Sequence, residues 1–231
     1  MKVLFLSKKA FVLAFTTLIL LALLSASTSL TDSALSGKVI IIDAGHGGID
    51  PGANRPGILE KNVNLAVAIL VKNNLEQHNA KVILSRSGDI DLSDDCDNET
   101  IRGRWRRDLS ARVELVDEHQ ADLFISIHAN VSTSAKRQGA EVFFSAKSEA
   151  SKVLAEYLQT TLNALKNTNT QAAVADYFVL RRNKIPAALI ELGYMTNPQE
   201  KKLLIDPRYQ YQLSDAIAKG ILDYYSGINN Q

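Results

Sequence analysis

Short apolar runs rich in β-branched residues recur along the chain, and each ends at a cluster of glycine, proline or polar residues. Such runs are typical of strands that are buried on both faces of a sheet. We predict strands over residues 38–42, 81–84, 122–127, 141–144 and 187–190.

Between these runs the apolar residues return every three or four positions, which is the period of a helix with one buried face. Two clear stripes consist of Val63, Ala66, Val67, Leu70 and Val71, and of Leu154, Tyr157, Leu158, Leu162 and Leu165. Regular alternation of strand and helix predicts an α/β fold: a single domain with a mostly parallel, twisted sheet and helices on both faces. Ligands bind such folds at the carboxyl ends of the strands.

Two helix starts are marked near the end of the chain. Asn197, Pro198 and Glu200 have the spacing of a helix cap, a first-turn proline and a capping-box glutamate. Asp206 and Pro207 then open a last helix.

The N-terminal residues have the pattern of an export signal. Basic residues at Lys2, Lys8 and Lys9 precede an uncharged apolar stretch over residues 10–24, and small residues follow it. Its length is borderline between a cleaved signal peptide and an uncleaved membrane anchor. We therefore predict three segments: a signal peptide or anchor at 1–27, a linker at 28–37 and the catalytic domain at 38–228. Either outcome places that domain outside the cytoplasm, and an uncleaved segment would attach it to the membrane.

Charge and cysteine content exclude several classes of protein. The 231 residues include 26 basic and 25 acidic side chains, so a formal net charge of +1 gives no general attraction to polyanions. We therefore expect no nucleic-acid partner. Cys96 is the only cysteine, which excludes an internal disulfide and a cysteine-based zinc or iron–sulfur site.

Residues that commonly bind metals stand at the ends of three predicted strands. His46 follows the first strand, His128 the third and Glu191 the fifth, while Glu60 opens the first helix after a glycine-rich loop. Because the carboxyl ends of parallel strands share one edge, we expect the four side chains to converge. Two imidazoles and one carboxylate are a common catalytic zinc set with water in the fourth position. The second carboxylate is then free to act as a base.

Each histidine alone has an ordinary structural explanation, as a turn residue for His46 and a core residue for His128. Their combination favours a metal site. His78 and His119 lie near helix ends among polar residues, and we expect both at the solvated surface. The glycine-rich loop does not fit a dinucleotide fingerprint, because Asp50 occupies the position of the third glycine.

Four segments resemble those of the zinc-dependent N-acetylmuramoyl-L-alanine amidases, which cleave the bond between the lactyl group of muramic acid and the stem peptide of peptidoglycan. These segments are residues 39–48, 59–64, 122–130 and 187–198. The resemblance implies that His46, Glu60 and His128 bind Zn²⁺ and that Glu191 is the catalytic residue. The chain is most similar to the spore-cortex, germination-specific branch of the family.

The resemblance also implies a mechanism with peptidoglycan as the substrate. Bound zinc would polarise the scissile carbonyl and lower the pKa of its water from about 15.7 toward roughly 7. Glu191 would accept the proton of that water and later pass one to the leaving amine of L-alanine. No motif identifies an activating protein partner.

Three further residues near the same edge have two interpretations each. Asp43 either orients the ring of His46 or caps the turn. Arg86 either pairs with a carboxylate of the stem peptide or forms a structural ion pair. Asn130 either binds the substrate or caps the strand end.

A basic run follows an acidic stretch over residues 89–99. Its members, around Trp105, are Arg102, Arg104, Arg106, Arg107 and Arg112. We predict that the two sets of charges compensate each other in a surface loop, and an anionic glycan or lipid surface is the alternative ligand.

Two other function classes use the same fold or the same ligand types. A wall-binding protein without activity would have lost a ligand, whereas all four candidates are present here. An exported zinc carboxypeptidase could use the same ligands, and only the family resemblance argues against it.

Overall fold

A computed structural model describes residues 9, 16 and 33–229 of the protein. The predicted signal peptide or anchor and residues 28–32 of the predicted linker therefore lie outside the described residues, apart from positions 9 and 16. In the described part of the chain, no helix is both long enough and apolar enough to cross a membrane. The residues from Ala34 onward form one compact unit, and Leu35 is already fully buried in its core.

The five predicted strands are present, and three of them continue further than the apolar runs. The strands are β1 (Val39–Ala44), β2 (Asn54–Arg55), β3 (Ile58–Leu59), β4 (Lys81–Leu84), β5 (Leu123–Asn130), β6 (Glu141–Phe144), β7 (Ala173–Val174) and β8 (Ala187–Tyr194). The extensions of β1, β5 and β8 include or approach the polar residues of interest. Sequence patterns did not predict the two-residue strands β2, β3 and β7.

Helices connect the strands. They are α1 (Glu60–Gln77), α2 (Arg104–Glu118), α3 (Glu149–Lys166), α4 (Phe178–Arg182), α5 (Pro198–Leu204) and α6 (Pro207–Asn229). The predicted stripes of α1 and α3 face the core. Val63, Val67, Val71, Leu154, Leu158 and Leu162 are buried and the other stripe residues are partly buried, which confirms the helical period.

Six strands form one twisted sheet in the order β4-β1-β5-β8-β6-β7. The first four are mutually parallel, whereas β6 runs antiparallel to β8 and pairs in parallel with β7. The register places Asp43 opposite Ser126, and His128 opposite Glu191. The mostly parallel α/β fold is therefore confirmed, and its strand ends bring polar residues from distant sequence positions to one edge.

The alternation of side chains along β1 explains why helices cover both faces. Ile40 and Ile42 pack in one cluster with apolar residues of α1, α3 and α6, while Ile41 packs in a second cluster with residues of α2 and α4. Because successive strand residues point to opposite faces, a continuous apolar run requires cover on both sides.

The start of α5 differs from the prediction in one respect. The side chain of Asn197 caps the helix by accepting hydrogen bonds from the amides of Gln199 and Glu200, as expected. Glu200 does not complete a capping box. Its buried carboxylate instead accepts from the amides of Gly139 and Tyr194, which are buried with it and need a partner, and pairs with the partly exposed Lys166.

Candidate metal centre and active site

The chain turns sharply after β1 and brings His46 to the edge of the sheet. His46 has a left-handed backbone with φ 62°, and a tight turn follows in which the backbones of Gly47 and Asp50 exchange two hydrogen bonds of 3.0 Å. Gly45 is required by close approach, since a Cβ at that position would lie 2.2 Å from Nε2 of His128. The loop therefore passes directly against the second histidine.

Glu60 lies between the two histidines. Its Oε1 is 3.2 Å from Nε2 of His46 and 2.9 Å from Nδ1 of His128. Its Oε2 accepts a hydrogen bond of 2.7 Å from the amide of Ala53, and Oε1 also accepts from the amide of Ala129 at 3.2 Å. The carboxylate is almost fully buried and is therefore fixed from several directions.

The hairpin of β2 and β3 explains how Glu60 reaches this position. Asn54 pairs with Leu59 across the hairpin, so the chain returns to the sheet edge as α1 begins. The amide of Glu60 donates to the carbonyl of Ala53, which completes a reciprocal contact with the Oε2 bond. Pro56 and Gly57 are the turn signal from which this hairpin could have been predicted.

The three side chains have the geometry of a metal site. One ligand atom from each of His46, Glu60 and His128 lies within 4.8 Å of the others. Two imidazole nitrogens and one carboxylate oxygen are donors suited to a transition-metal ion such as zinc. The sequence prediction that these distant residues converge is therefore correct.

Asp50, rather than Asp43, orients the ring of His46. Oδ2 of Asp50 lies 2.7 Å from Nδ1 of His46, so Nδ1 can donate to this carboxylate while Nε2 faces Glu60 in the cluster. The carboxylate of Asp43 instead contacts Nη1 of Arg112 at 2.5 Å and accepts from Oγ of Ser126 at 2.6 Å. The proposed role of Asp43 towards His46 is thus wrong, because Arg112 and Ser126 engage its carboxylate.

Arg112 is a buried support of the loop and does not belong to the surface basic run. Its Nη1 donates to the carbonyl of Ala44 at 2.9 Å, and its Nη2 to the carbonyl of His46 at 2.8 Å. Asp43 and Asp108 compensate its charge. The spacing of Asp108 and Arg112 by one helical turn is the sequence signal for this pair.

Arg86 has neither of its predicted roles. Its guanidinium donates to the carbonyls of Ala44, Gly45 and Lys61 at 2.8, 3.1 and 2.7 Å, and it is almost fully buried. It forms no salt bridge within the described residues. Arg86 therefore braces the loop through backbone acceptors that the sequence pattern does not reveal.

The remaining polar candidates have structural positions. Asn130 accepts from the amide of Val131 and donates to Glu141, which is consistent with a role at the strand end. His78 and His119 are the half-buried C-caps of α1 and α2, and neither belongs to the metal cluster.

Glu191 stands beside this cluster as a separate carboxylate. It is the sheet neighbour of His128, and its Oε2 is buried with no hydrogen-bond partner in the described part of the chain. Burial, with a further contribution from the negative charge of Glu60, raises the pKa of Glu191 to about 7. The group can therefore gain or lose a proton near neutral pH.

The ionisation of the cluster depends on its internal hydrogen bonds. Burial alone would raise the pKa of Glu60, but the bonds to His128 and His46 hold it well below its usual range. Burial alone would lower the pKa of His46, but the bonds to Glu60 and Asp50 raise it to about 9. A metal ion must therefore displace a proton from His46 when it binds near neutral pH.

An open groove of about 1150 Å³ connects this site to the surface. Its walls come from α2 and α4, and its lining includes His46, Glu60, His128 and Glu191. Two histidines and a glutamate with the geometry of a metal site, beside a separate carboxylate in an open groove, are an arrangement typical of metal-dependent hydrolases.

The particular family follows from comparison with known sequences. The family model of the N-acetylmuramoyl-L-alanine amidases matches residues 40–223. The chain therefore belongs to this family. It is therefore an N-acetylmuramoyl-L-alanine amidase that acts on peptidoglycan, as the resemblance of the sequence segments implied.

Individual relatives span most of the chain. The germination-specific N-acetylmuramoyl-L-alanine amidase of Bacillus subtilis is 40% identical over 197 residues, which cover 83% of this chain and 81% of that protein. The CwlD amidase of Clostridioides difficile, solved in complex with the GerS lipoprotein, matches with a TM-score of 0.76 and 37% identity over 83% of this chain and all of that one. The catalytic domain of CwlV from Bacillus (Paenibacillus) polymyxa matches with a TM-score of 0.70 and 33% identity over 82% and 98% of the two chains.

We predict that the metal-free protein loses stability as the pH rises from about 6.5 to about 9. The pKa of His46 in the folded state lies above the unfolded value of about 6.5, so its stabilisation is complete below that pH and is lost as the pH rises through 9. The expected loss is on the order of 3 kcal/mol. Thermal unfolding of chelator-treated protein at a series of pH values measures it.

The control is His46→Gln, which should not show this decline above pH 7. The raised pKa of Glu191 causes its own loss of stability between about pH 4.5 and 7, so only the upper part of the range isolates His46. An equal decline in wild-type protein and His46→Gln would show that another group titrates.

Proposed function

We propose that the protein hydrolyses the amide bond between N-acetylmuramic acid and L-alanine with a zinc ion held by His46, Glu60 and His128, and that Glu191 is the catalytic residue. The observation that carries this proposal is the convergence of three ligand atoms within 4.8 Å beside a separate carboxylate in an open groove. When bound, zinc supplies a Lewis acid that polarises the carbonyl and acidifies water.

The contacts of the two glutamates support a division of roles. Both oxygens of Glu60 accept backbone hydrogen bonds, and the group is held ionised, which suits a ligand. One oxygen of Glu191 has no partner in the described structure, and burial brings its pKa to about 7. Glu191 can therefore accept a proton from the attacking water at one step and donate it to the leaving amine of L-alanine at the next.

Product analysis on purified peptidoglycan tests this function. An amidase releases stem peptides with free L-alanine amino termini, and a chelator should abolish their release. Release of single terminal amino acids would instead indicate a carboxypeptidase, and binding without products would indicate a wall-binding protein. Either of these results would refute the proposal.

The relatives support a more specific substrate and a protein partner for this chain. The name of the Bacillus subtilis relative links it to germination, which supports spore-cortex peptidoglycan as the substrate here. The complex of CwlD with the GerS lipoprotein supports a protein partner for this chain as well. Initial rates on purified cortex and on vegetative wall, measured side by side, test the substrate, and equal rates would contradict cortex specificity.

The family places the activity outside the cytoplasm, and we propose that residues 1–27 deliver the enzyme there as a signal peptide or anchor. A reporter that is active only in the cytoplasm should stay silent when fused after Gln231, because the basic head and apolar stretch direct export. Strong cytoplasmic signal from the intact fusion would contradict export.

We predict that His46→Ala, Glu60→Ala and His128→Ala each lose stoichiometric zinc. Two remaining protein ligands hold the ion too weakly to survive desalting. Metal analysis of the desalted proteins is the measurement, and His119→Ala, at the end of α2, is the control that should keep one zinc per chain. Retention of zinc at wild-type affinity by His128→Ala would contradict the ligand set.

We predict that Glu191→Gln keeps zinc but loses activity. The amide preserves the shape of the side chain but cannot accept a proton, so kcat should fall by about 10²–10⁴. Stem-peptide release and zinc content are measured on the same sample. Glu141→Gln, directly opposite Glu191 on β6, is the matched control and should keep most of its activity. Loss of zinc in Glu191→Gln would make this residue a ligand, and full activity would remove it from the reaction.

A further inference from the structure

The basic run before and within α2 divides between two environments. Arg104 forms a salt bridge of 2.6 Å with Asp91, and Arg107 donates to the carbonyl of Ser93 at 2.8 Å, so both contact the acidic loop. Arg102 and Arg106 lie on the other side and line the groove, where they form no ion pair with any described residue. The predicted mutual compensation is therefore wrong for these two arginines, because they line the groove without an acidic partner among the described residues.

The opposite wall of the groove carries another unpaired arginine. Arg181 and Arg182 both lie over the ring of Phe178, at 5.4 and 5.6 Å from its centroid. Arg181 is paired with Asp176 at 3.2 Å, whereas Arg182 has no carboxylate partner among the described residues. Contact with the ring limits the conformations of its guanidinium and prepares it to bind a ligand.

Apart from Glu191 beside the metal cluster, the carboxylates that line the groove are already engaged. Asp50 contacts His46, Asp108 contacts Arg112, and Glu114 accepts from the amide of Asp97. Asp117 pairs with Lys184. The unpaired charges on the two walls are thus guanidinium groups, which favours an anionic ligand.

We propose that Arg102 and Arg106 on one wall and Arg182 on the other bind the free carboxylates of the stem peptide, an inference that rests on the proposed function. The same groove contains the metal ligands and Glu191, so a peptide held there is continuous with the reacting amide. Guanidinium groups bind carboxylates through paired hydrogen bonds, whereas glycan hydroxyls carry no charge for them to neutralise. Trp105, which is 65% exposed between Arg102 and Arg106, supplies apolar contact beside the charges.

Direct binding of two synthetic stem peptides to the zinc-loaded protein tests this proposal. One peptide carries free carboxylates and the other carries carboxamides at the same positions. Wild-type protein should bind the acidic peptide about tenfold more tightly. The double variant Arg102→Gln/Arg106→Gln should lose that preference, while its affinity for the carboxamide peptide stays within about twofold. Its KM for stem-peptide release should rise by about the same tenfold factor with little change in kcat.

Arg104→Gln is the matched control. It removes one positive charge from the same segment. Because Arg104 pairs with Asp91 in the acidic loop and does not face the groove, the variant should bind both peptides as the wild type does. Equal loss for both peptides in the double variant, or an equal effect of Arg104→Gln, would overturn the proposal.

Two further outcomes separate peptide binding from glycan binding, and this proposal from the proposed function. If the double variant binds both peptides normally but Trp105→Ala loses binding to peptide-free glycan strands, this wall contacts sugar and the proposal is wrong. Peptide binding is measured without turnover. Wild-type protein that discriminates the two peptides but releases no stem peptide would therefore refute the proposed function and leave the binding role of the arginines intact.

Discussion

The carboxylate of Glu60 is the contact on which the site depends. One of its oxygens lies within 3.2 Å of nitrogens from both His46 and His128, so a single buried group positions two imidazoles that are distant in sequence. A buried charge is costly unless it is paired and hydrogen-bonded. Here the groups that pair with the carboxylate are the other two candidate ligands, so folding and assembly of the metal site depend on the same contacts.

A second set of buried charges stabilises the loop that contains His46. Arg112 and Arg86 donate to the backbone carbonyls of residues 44–46, and Asp43 and Asp108 compensate the charge of Arg112. These hydrogen bonds offset the conformational entropy that a glycine-rich loop loses when it becomes ordered on folding. The groove gives access to the cluster that this loop positions.

The strands and the convergence of the metal-site residues could be predicted from the sequence, because continuous apolar runs indicate buried parallel strands whose ends share one edge. The hydrogen-bond and ion-pair partners of individual polar residues could not be predicted in this way. Asp50 reaches His46 only through a tight turn, and Arg112 leaves the basic run only because its side chain points inward. Glu200 accepts hydrogen bonds from the amides of Gly139 and Tyr194 and does not cap its own helix. Such contacts depend on side-chain direction, which periodicity does not determine.

X-ray absorption at the zinc edge of the metal-loaded protein tests the central claim most directly, because it identifies the atoms around the ion. Two imidazole nitrogens at about 2.0–2.1 Å and a carboxylate oxygen at about 2.0–2.2 Å are expected for His46, His128 and Glu60. The Glu60→Gln variant should lose this coordination pattern. A sulfur at about 2.3 Å, which only Cys96 or a methionine could provide, or an unchanged spectrum in Glu60→Gln, would contradict the account.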